Sequence, residues 1–293
     1  MSLTEIEPNT TARETTTSTA ESTEIVAAPP RSRGVPSIEC VDVWKQYYFY
    51  NHRPRKLKEL IAQVLRGQHK LPTDPVWAIR NFNLTVYPGE TVGVVGHNGA
   101  GKSTLLKLLS RIHGPTRGSI KINGRLSAII ELGAGFHEDL SGKENVYLAA
   151  SFLGLNRRDV DKLYGRIVDF AELREHMETP VKYFSSGMQA RLGFAIAINV
   201  DPDVLLIDEV LAVGDANFQP KCKDAIRRFQ QAGKAILLVS HDLDTIKAIC
   251  QRVIWMKQGE ICADDKPVEA INTYLEHYWP GCTKPGWVRP KEW

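Results

Sequence analysis

Gly96-His97-Asn98-Gly99-Ala100-Gly101-Lys102-Ser103 follows the apolar run Thr91 to Val95 and precedes a segment, Lys102 to Ile112, that reads as helix. The eight residues match G-x-x-x-x-G-K-[ST], and the strand before and helix after are the context in which that pattern binds phosphate. Glycines let backbone N–H groups turn inward around phosphate oxygens, and the helix N-terminus adds partial positive charge. Lys102 is expected to reach the outer phosphates and the Ser103 hydroxyl to ligate Mg²⁺, so Gly96 through Thr104 form the expected nucleotide contacts. A glycine turn that merely precedes Lys-Ser is the bland alternative.

Working outward, strands and helices alternate. Ile38-Glu39-Cys40-Val41-Asp42-Val43 is strand-like, Phe82 to Val86 is a second strand, and Pro88-Gly89 is a turn. After the loop, Gly118 to Gly124 reads as a hairpin arm, and one polar helical stretch spans about 142–174. A helix from Gly187 to Asn199 precedes the buried strand Val204 to Ile207, and another helix precedes the strand Ala235 to Val239. Such alternation argues for an α/β fold with a largely parallel sheet covered on its faces. Residues 1–35, rich in Thr, Ser, Glu and Pro, hold too little apolar surface to offset ordering entropy and are expected to be a disordered tail. Order is expected over 36–265, and only Pro267 to Tyr278 remain to form a helix in the closing segment 266–293.

Composition sets bounds. The 293 residues, 43% of them hydrophobic, suffice for one large α/β core with a small appendage. A net charge of +3 is too small for a general nucleic-acid binder, so no nucleic-acid partner is expected. No run approaches a bilayer-spanning length, and the N-terminus lacks the order of a secretory signal. Five scattered cysteines (Cys40, Cys222, Cys250, Cys262, Cys282) read as reduced thiols.

Three further constellations carry chemistry. In Val204-Leu205-Leu206-Ile207-Asp208-Glu209 a buried strand ends in two carboxylates at the sheet edge beside the loop. Asp208 would bind Mg²⁺ directly or through its water, and Glu209 would polarise an attacking water as general base. Alone, Asp-Glu after a strand is as often a helix cap. Val239-Ser240-His241-Asp242 places His241 after the next strand, where it can contact the γ-phosphate or the attacking water. Phe184-Ser185-Ser186-Gly187-Met188-Gln189 opens a helix with residues able to present a hydroxyl and N–H groups to an anion. By position alone, Ser185 would be only an N-cap.

The order of these elements, with Leu211-Ala212-Val213-Gly214-Asp215 following the acids, resembles the ATP-binding cassette (ABC) family of transporter ATPases over roughly residues 38–262. The resemblance implies a P-loop NTPase fold with a RecA-like core, an antiparallel β subdomain and a helical subdomain over about 140–190. It also implies ATP as nucleotide and a partner cassette, a second copy (a homodimer) or a close relative. Ser185 and Gly187 would then touch the γ-phosphate held by the other chain, and Asp215 would lie in the interface loop. The adenine-stacking aromatic falls at Tyr47, with Tyr48 as the alternative. An integral membrane permease is implied, with this chain peripheral on the cytoplasmic side of the cell membrane.

Two positions depart from the family pattern. The usual Leu-Ser-Gly-Gly-Gln is Phe184-Ser185-Ser186-Gly187-Met188, and Leu132 stands where a glutamine is expected, beside Glu131, which could substitute for it. With Leu132-Gly133-Ala134-Gly135-Phe136-His137 and a basic helical insertion over about 53–70, these resemble the subgroup exporting lipid-linked envelope polysaccharides or teichoic acids. Some of its members carry a further carbohydrate-binding domain after the cassette; with only Pro267 to Tyr278 left to form a helix, none is expected here. In the insertion, Leu57, Leu60, Ile61, Val64 and Leu65 share one helical face, and Arg53, Arg55, Lys56 and Lys58 crowd its start. That face either packs on the cassette or lies near the membrane surface and helps hold an anionic lipid-linked substrate. Other substrates, such as drugs or lipids, are the alternative for a transporter. A soluble cassette acting on DNA or ribosomes fits less well, because only about 80 residues, with no coiled coil, separate Lys102 from Ser185.

Overall fold

The strand feeding the loop, β3 (Thr91–Val95), is buried along its whole length at the middle of a sheet, which explains its unbroken apolar sequence. The computed structural model describes residues 34–48, 75–129, 135–208 and 218–282. Outside them lie residues 1–33 of the expected tail, the 53–66 segment read as helix, Glu131 and Leu132, Glu209, the 211–215 loop and residues 283–293.

Nine strands form two sheets among the described residues. The first joins β1 (Ile38–Tyr47), β2 (Val76–Val86) and β4 (Arg117–Ile122) in the antiparallel order β2-β1-β4. The second adds β5 (Leu126–Ile129), β6 (Val204–Asp208), β7 (Ala235–Val239), β8 (Arg252–Lys257) and β9 (Glu260–Asp265), in the order β5-β6-β7-β3-β8-β9. Every pairing in it is parallel except β8 with β9.

Alternation along the strands divides the core. Leu206, Leu237, Val92 and Val94 pack on one side with Ile38, Phe82, Leu105 and Leu109, so that side is sealed by the antiparallel sheet and by helix α1 (Lys102–Leu109). Leu205, Ile207, Ile236 and Leu238 point the other way, onto Phe194, Phe218, Ile246 and Ile271. Burying each such side chain contributes about 1.5–3 kcal/mol, which fixes the strand register and with it the sheet's carboxyl edge.

A third core belongs to the helices α2 (Gly142–Phe152), α3 (Arg157–Ala171) and α4 (Ser186–Asn199), where Val146, Val160, Ile167, Phe184 and Leu192 meet. The remaining helices are α5 (Phe218–Gln231), α6 (Leu243–Ile249) and α7 (Pro267–Tyr278). RecA-like core, antiparallel β sheet and helical part are therefore all present, as the sequence resemblance implied.

Three local expectations are corrected. The segment over 142–174 is two helices: Gly154 turns back at φ 80°, and Asn156 starts α3 by accepting from the Asp159 N–H at 3.1 Å. Helix α1 stops at Leu109, because Arg111 takes a left-handed φ of 61°, and Ile112 is left exposed. The segment after Gly118 does not form a hairpin with its neighbour; β4 pairs with β1, Ile122 lying opposite Ile38.

Candidate functional site

The loop is bounded by backbone on both limbs. At Gly96 φ is 154°, and a Cβ there would lie 2.4 Å from the Met256 carbonyl oxygen of β8, so only glycine passes. The Gly259 N–H donates to the Ala100 carbonyl (2.9 Å), and the Arg80 N–H donates to that of Gly259 (2.9 Å), tying the loop to β2 and the β8–β9 turn. Lys102 is buried at 8% exposure. Its ammonium donates to the carbonyls of Gly96 (2.6 Å) and His97 (3.1 Å), which aims it along the inside of the loop. The N-cap of α1 is Gly101, which has no side chain to take the first-turn N–H groups, and no acidic residue stands in that turn. A helix start of this kind favours an anion. Ser103 is exposed there and Thr104 half-buried; Asn98 and Gly99 form the exposed crest of the loop.

The sheet register places the other groups on the same edge. Asp208 ends β6 opposite Val239 of β7, and Val239 is in turn opposite Val94, two residues before Gly96. With strands about 4.8 Å apart, the half-buried Asp208 stands roughly 10 Å across the sheet from the loop's first limb. Beyond Val239, Ser240 is buried and accepts the Asp242 N–H (3.0 Å). Asp242 caps α6, accepting from the N–H groups of Asp244 (3.1 Å) and Thr245 (3.2 Å) and from the Thr245 hydroxyl (2.5 Å). The Thr245 hydroxyl chiefly, helped by those N–H groups, holds the Asp242 carboxyl below the usual range. Asp242 is thus spent on the helix cap, and the turn it pins presents His241, which is exposed. Glu209, one residue past Asp208, lies outside the described residues.

Ser185 caps α4, its Oγ accepting the Met188 N–H at 3.2 Å. That bond uses a lone pair and leaves the exposed hydroxyl its proton to donate. Gly187 follows in the first turn. Its φ is ordinary, and a Cβ there would find nothing nearer than Ser185 Oγ at 3.8 Å. Among the described residues, neither conformation nor packing requires glycine at 187, unlike 96. Phe184 behind them is 6% exposed and rests against Gly142, fixing the helix start on the helical core.

Tyr47, at the end of β1, is half-buried; its ring meets His113 edge-on (5.8 Å) and the Lys45 ammonium (5.2 Å). Its ring contacts thus run along β1 to Lys45 and across to the segment after α1. Tyr48 is exposed, its hydroxyl 3.4 Å from Gln46 Oε1. The structure therefore gathers Gly96–Thr104, Asp208 and His241 on one edge, and puts Ser185 and Gly187 on an outward-facing helix start.

Two structural residues escaped the sequence reading. Asn145 is fully buried, accepting the His137 N–H (2.7 Å) and donating to the carbonyls of His137, Leu140 and Ser141, so it clamps the turn before α2. Gly259 is the other, with φ 84° and a Cβ position 2.7 Å from the Ala78 carbonyl oxygen. An Asn directly after a Ser-x-x-Glu capping box and a Gln-Gly turn between apolar runs were the available signals.

Comparison with known proteins identifies the family. The family model described as ABC transporter matches residues 79–212. The chain is 44% identical over 226 residues, 77% of its length and 92% of the relative's, to the O-antigen export system ATP-binding protein RfbB of Klebsiella pneumoniae. It is 37% identical to the teichoic acids export ATP-binding protein TagH of Shouchella clausii, over 83% of this chain and 66% of that one. A dimeric ATP-binding cassette solved in a post-hydrolysis state with ADP and Pi superposes with a TM-score of 0.63 at 21% identity, covering 78% of this chain and 98% of that one. The site geometry and these likenesses lead to one conclusion: this chain belongs to the ABC transporter family, as one of its ATP-binding ATPase subunits.

Proposed function

We propose that the chain is the ATP-hydrolysing subunit of an ABC exporter that moves a lipid-linked cell-envelope polysaccharide, of O-antigen, capsule, galactan or teichoic acid type, across the cytoplasmic membrane. The observation that carries the substrate class is the likeness to an O-antigen export subunit over 92% of that protein's length. No helix among the described residues is long and apolar enough to cross a membrane, so the spanning work is assigned to a separate permease, with this chain peripheral on its cytoplasmic side. The cassette is taken as residues 36–265, and the basic 53–66 segment as a contact for the anionic lipid-linked substrate.

In this reading the loop N–H groups and Lys102 bind and orient the β- and γ-phosphates, and Tyr47 stacks on adenine. Ser103 and Asp208 offer a hydroxyl and a carboxylate, hard oxygen donors on one sheet edge that fit Mg²⁺ held mainly through phosphates and water. When bound, that ion neutralises charge building on the phosphates. Glu209 takes the proton of the attacking water, and His241 holds the γ-phosphate or that water in line. Ser185 and Gly187 of a second copy close the far side, which accounts for a glycine that no described residue of its own chain requires. Two such closures per homodimer drive the permease, and hydrolysis reopens them.

The test is Glu209→Gln. Hydrolysis should fall by 10²-fold or more, the scale of a lost general base, while ATP binding survives. Unchanged turnover would remove Glu209 from its role.

A further inference from the structure

Helix α7 brings its last turn against the second residue of the phosphate loop. The Tyr278 ring lies 5.0 Å from the His97 ring, tilted by 46°. Tyr278 is itself held by rings: Tyr274 at 5.4 Å, His277 at 4.9 Å and Trp255 at 6.5 Å. Trp255 is 5% exposed and stands opposite Val95, the residue before Gly96, so this aromatic group is built on the strand beside the loop. The helix is anchored from below by Ala270 and Ile271, both fully buried. Its end is fixed again where the Lys257 ammonium meets His277 Nε2 at 3.0 Å.

His97 has a second attachment. Its carbonyl accepts both the Lys102 ammonium and the Ala100 N–H, each at 3.1 Å. Its side chain is otherwise exposed. Whatever holds the His97 ring therefore also sets the direction of the carbonyl that steers Lys102. We infer that Tyr278 is a positioning residue for nucleotide binding, fixing His97 from the C-terminal helix and, through the His97 carbonyl, the path of the loop and the aim of Lys102. The docking of α7 is thereby linked to nucleotide affinity. This inference rests on Gly96–Ser103 being the nucleotide loop.

An aromatic pair of this kind supports an effect of about two- to tenfold on binding. The contact is through the rings; among the described residues the Tyr278 hydroxyl has no hydrogen bond, so phenylalanine should serve as well. The full chain is titrated with the fluorescent analogue mant-ATP and assayed for hydrolysis, as the parent and as Tyr278→Ala, Tyr278→Phe, His97→Ala and the double alanine variant. Y278A should weaken mant-ATP binding and raise KM by more than twofold, up to about tenfold, with kcat little changed, whereas Y278F retains the parental affinity. H97A should weaken it similarly, and the double variant no further, because both remove one contact. Y278A binding within about twofold of the parent, or two losses that multiply, overturns the inference. If Y278A does not fold, His97→Ala against His97→Phe decides: equal affinities in the two overturn it, and retention by the phenylalanine alone supports it. Lys102→Ala serves as the control for the loop itself. Lost binding there with full binding in Y278A rejects the inference alone, whereas no binding by the parent rejects the loop reading with it.

Discussion

If Gly187 is replaced by alanine, the new methyl group meets none of the described residues closer than Ser185 Oγ at 3.8 Å, and the backbone φ is one that any residue accepts. Inside this chain the change is favourable. A Gly→Ala substitution at a compatible position stabilises by about 0.4–1 kcal/mol, chiefly by restricting the unfolded chain. For a domain of this size that is a rise of roughly 1–4 °C in melting temperature. Between two chains the change is unfavourable, because a helix N–H that bonds a phosphate oxygen brings that oxygen to about 2.9 Å, leaving no room for a methyl group beside it. Loss of one charge-assisted hydrogen bond costs about 1.5–3 kcal/mol, so turnover should fall by roughly tenfold or more. The assays are a thermal melt and phosphate release at saturating ATP. A variant that melts higher and hydrolyses slower agrees with the reasoning. Turnover within about twofold of the parent, a loss of only roughly 0.4 kcal/mol, would refute it.

Two further predictions concern the chain by itself. Cys40, Cys222 and Cys250 are buried, and burial pushes each thiol up to about 12, so a disulfide reagent at mild alkaline pH should reach them only on unfolding. Exposed Cys262 should react at once and half-buried Cys282 more slowly, its thiol raised by burial and then by the Glu276 carboxylate; more than one fast thiol would contradict this. Asp203 accepts the Arg125 N–H (2.8 Å) and the Lys234 ammonium (3.3 Å), and the Arg125 bond chiefly holds its carboxyl below the usual range. A depressed folded value stabilises at pH above the unfolded value, about 3.9, and that stabilisation is lost as pH falls through the folded value. Asp203→Asn should therefore be the less stable chain at pH 7, the gap closing below about pH 4; a gap constant with pH would refute the assignment.

The site was readable where chemistry is written locally. Gly96–Ser103 carries its strand, turn and helix in consecutive residues, and Asp208 and His241 each end an apolar run, so their shared edge follows once the strands are parallel. What was not readable depends on partners far along the chain. Strand β4 reads locally as one arm of a hairpin, yet its partner is β1, Ser119 lying opposite Val41. The break at Gly154 was hidden because the flanking sequences are both good helix formers, and only the burial of Leu155 against the helical core decides it. Tyr278 carried no signal at all, since nothing in Pro267–Tyr278 announces that its end reaches His97.

The central claim is that one catalytic site is shared by two copies, and mixing two defective chains tests it most directly. Lys102→Ala removes the loop's grip but leaves Ser185 and Gly187 intact. Gly187→Glu keeps the loop, suits a helix first turn, and sets a carboxylate where the γ-phosphate of the other chain would lie. Each should be inactive alone. Mixed in equal amounts, half the dimers are hybrids with one complete site, so hydrolysis should recover to about a quarter of the parental rate. A mixture as inactive as its components would contradict a site shared between chains.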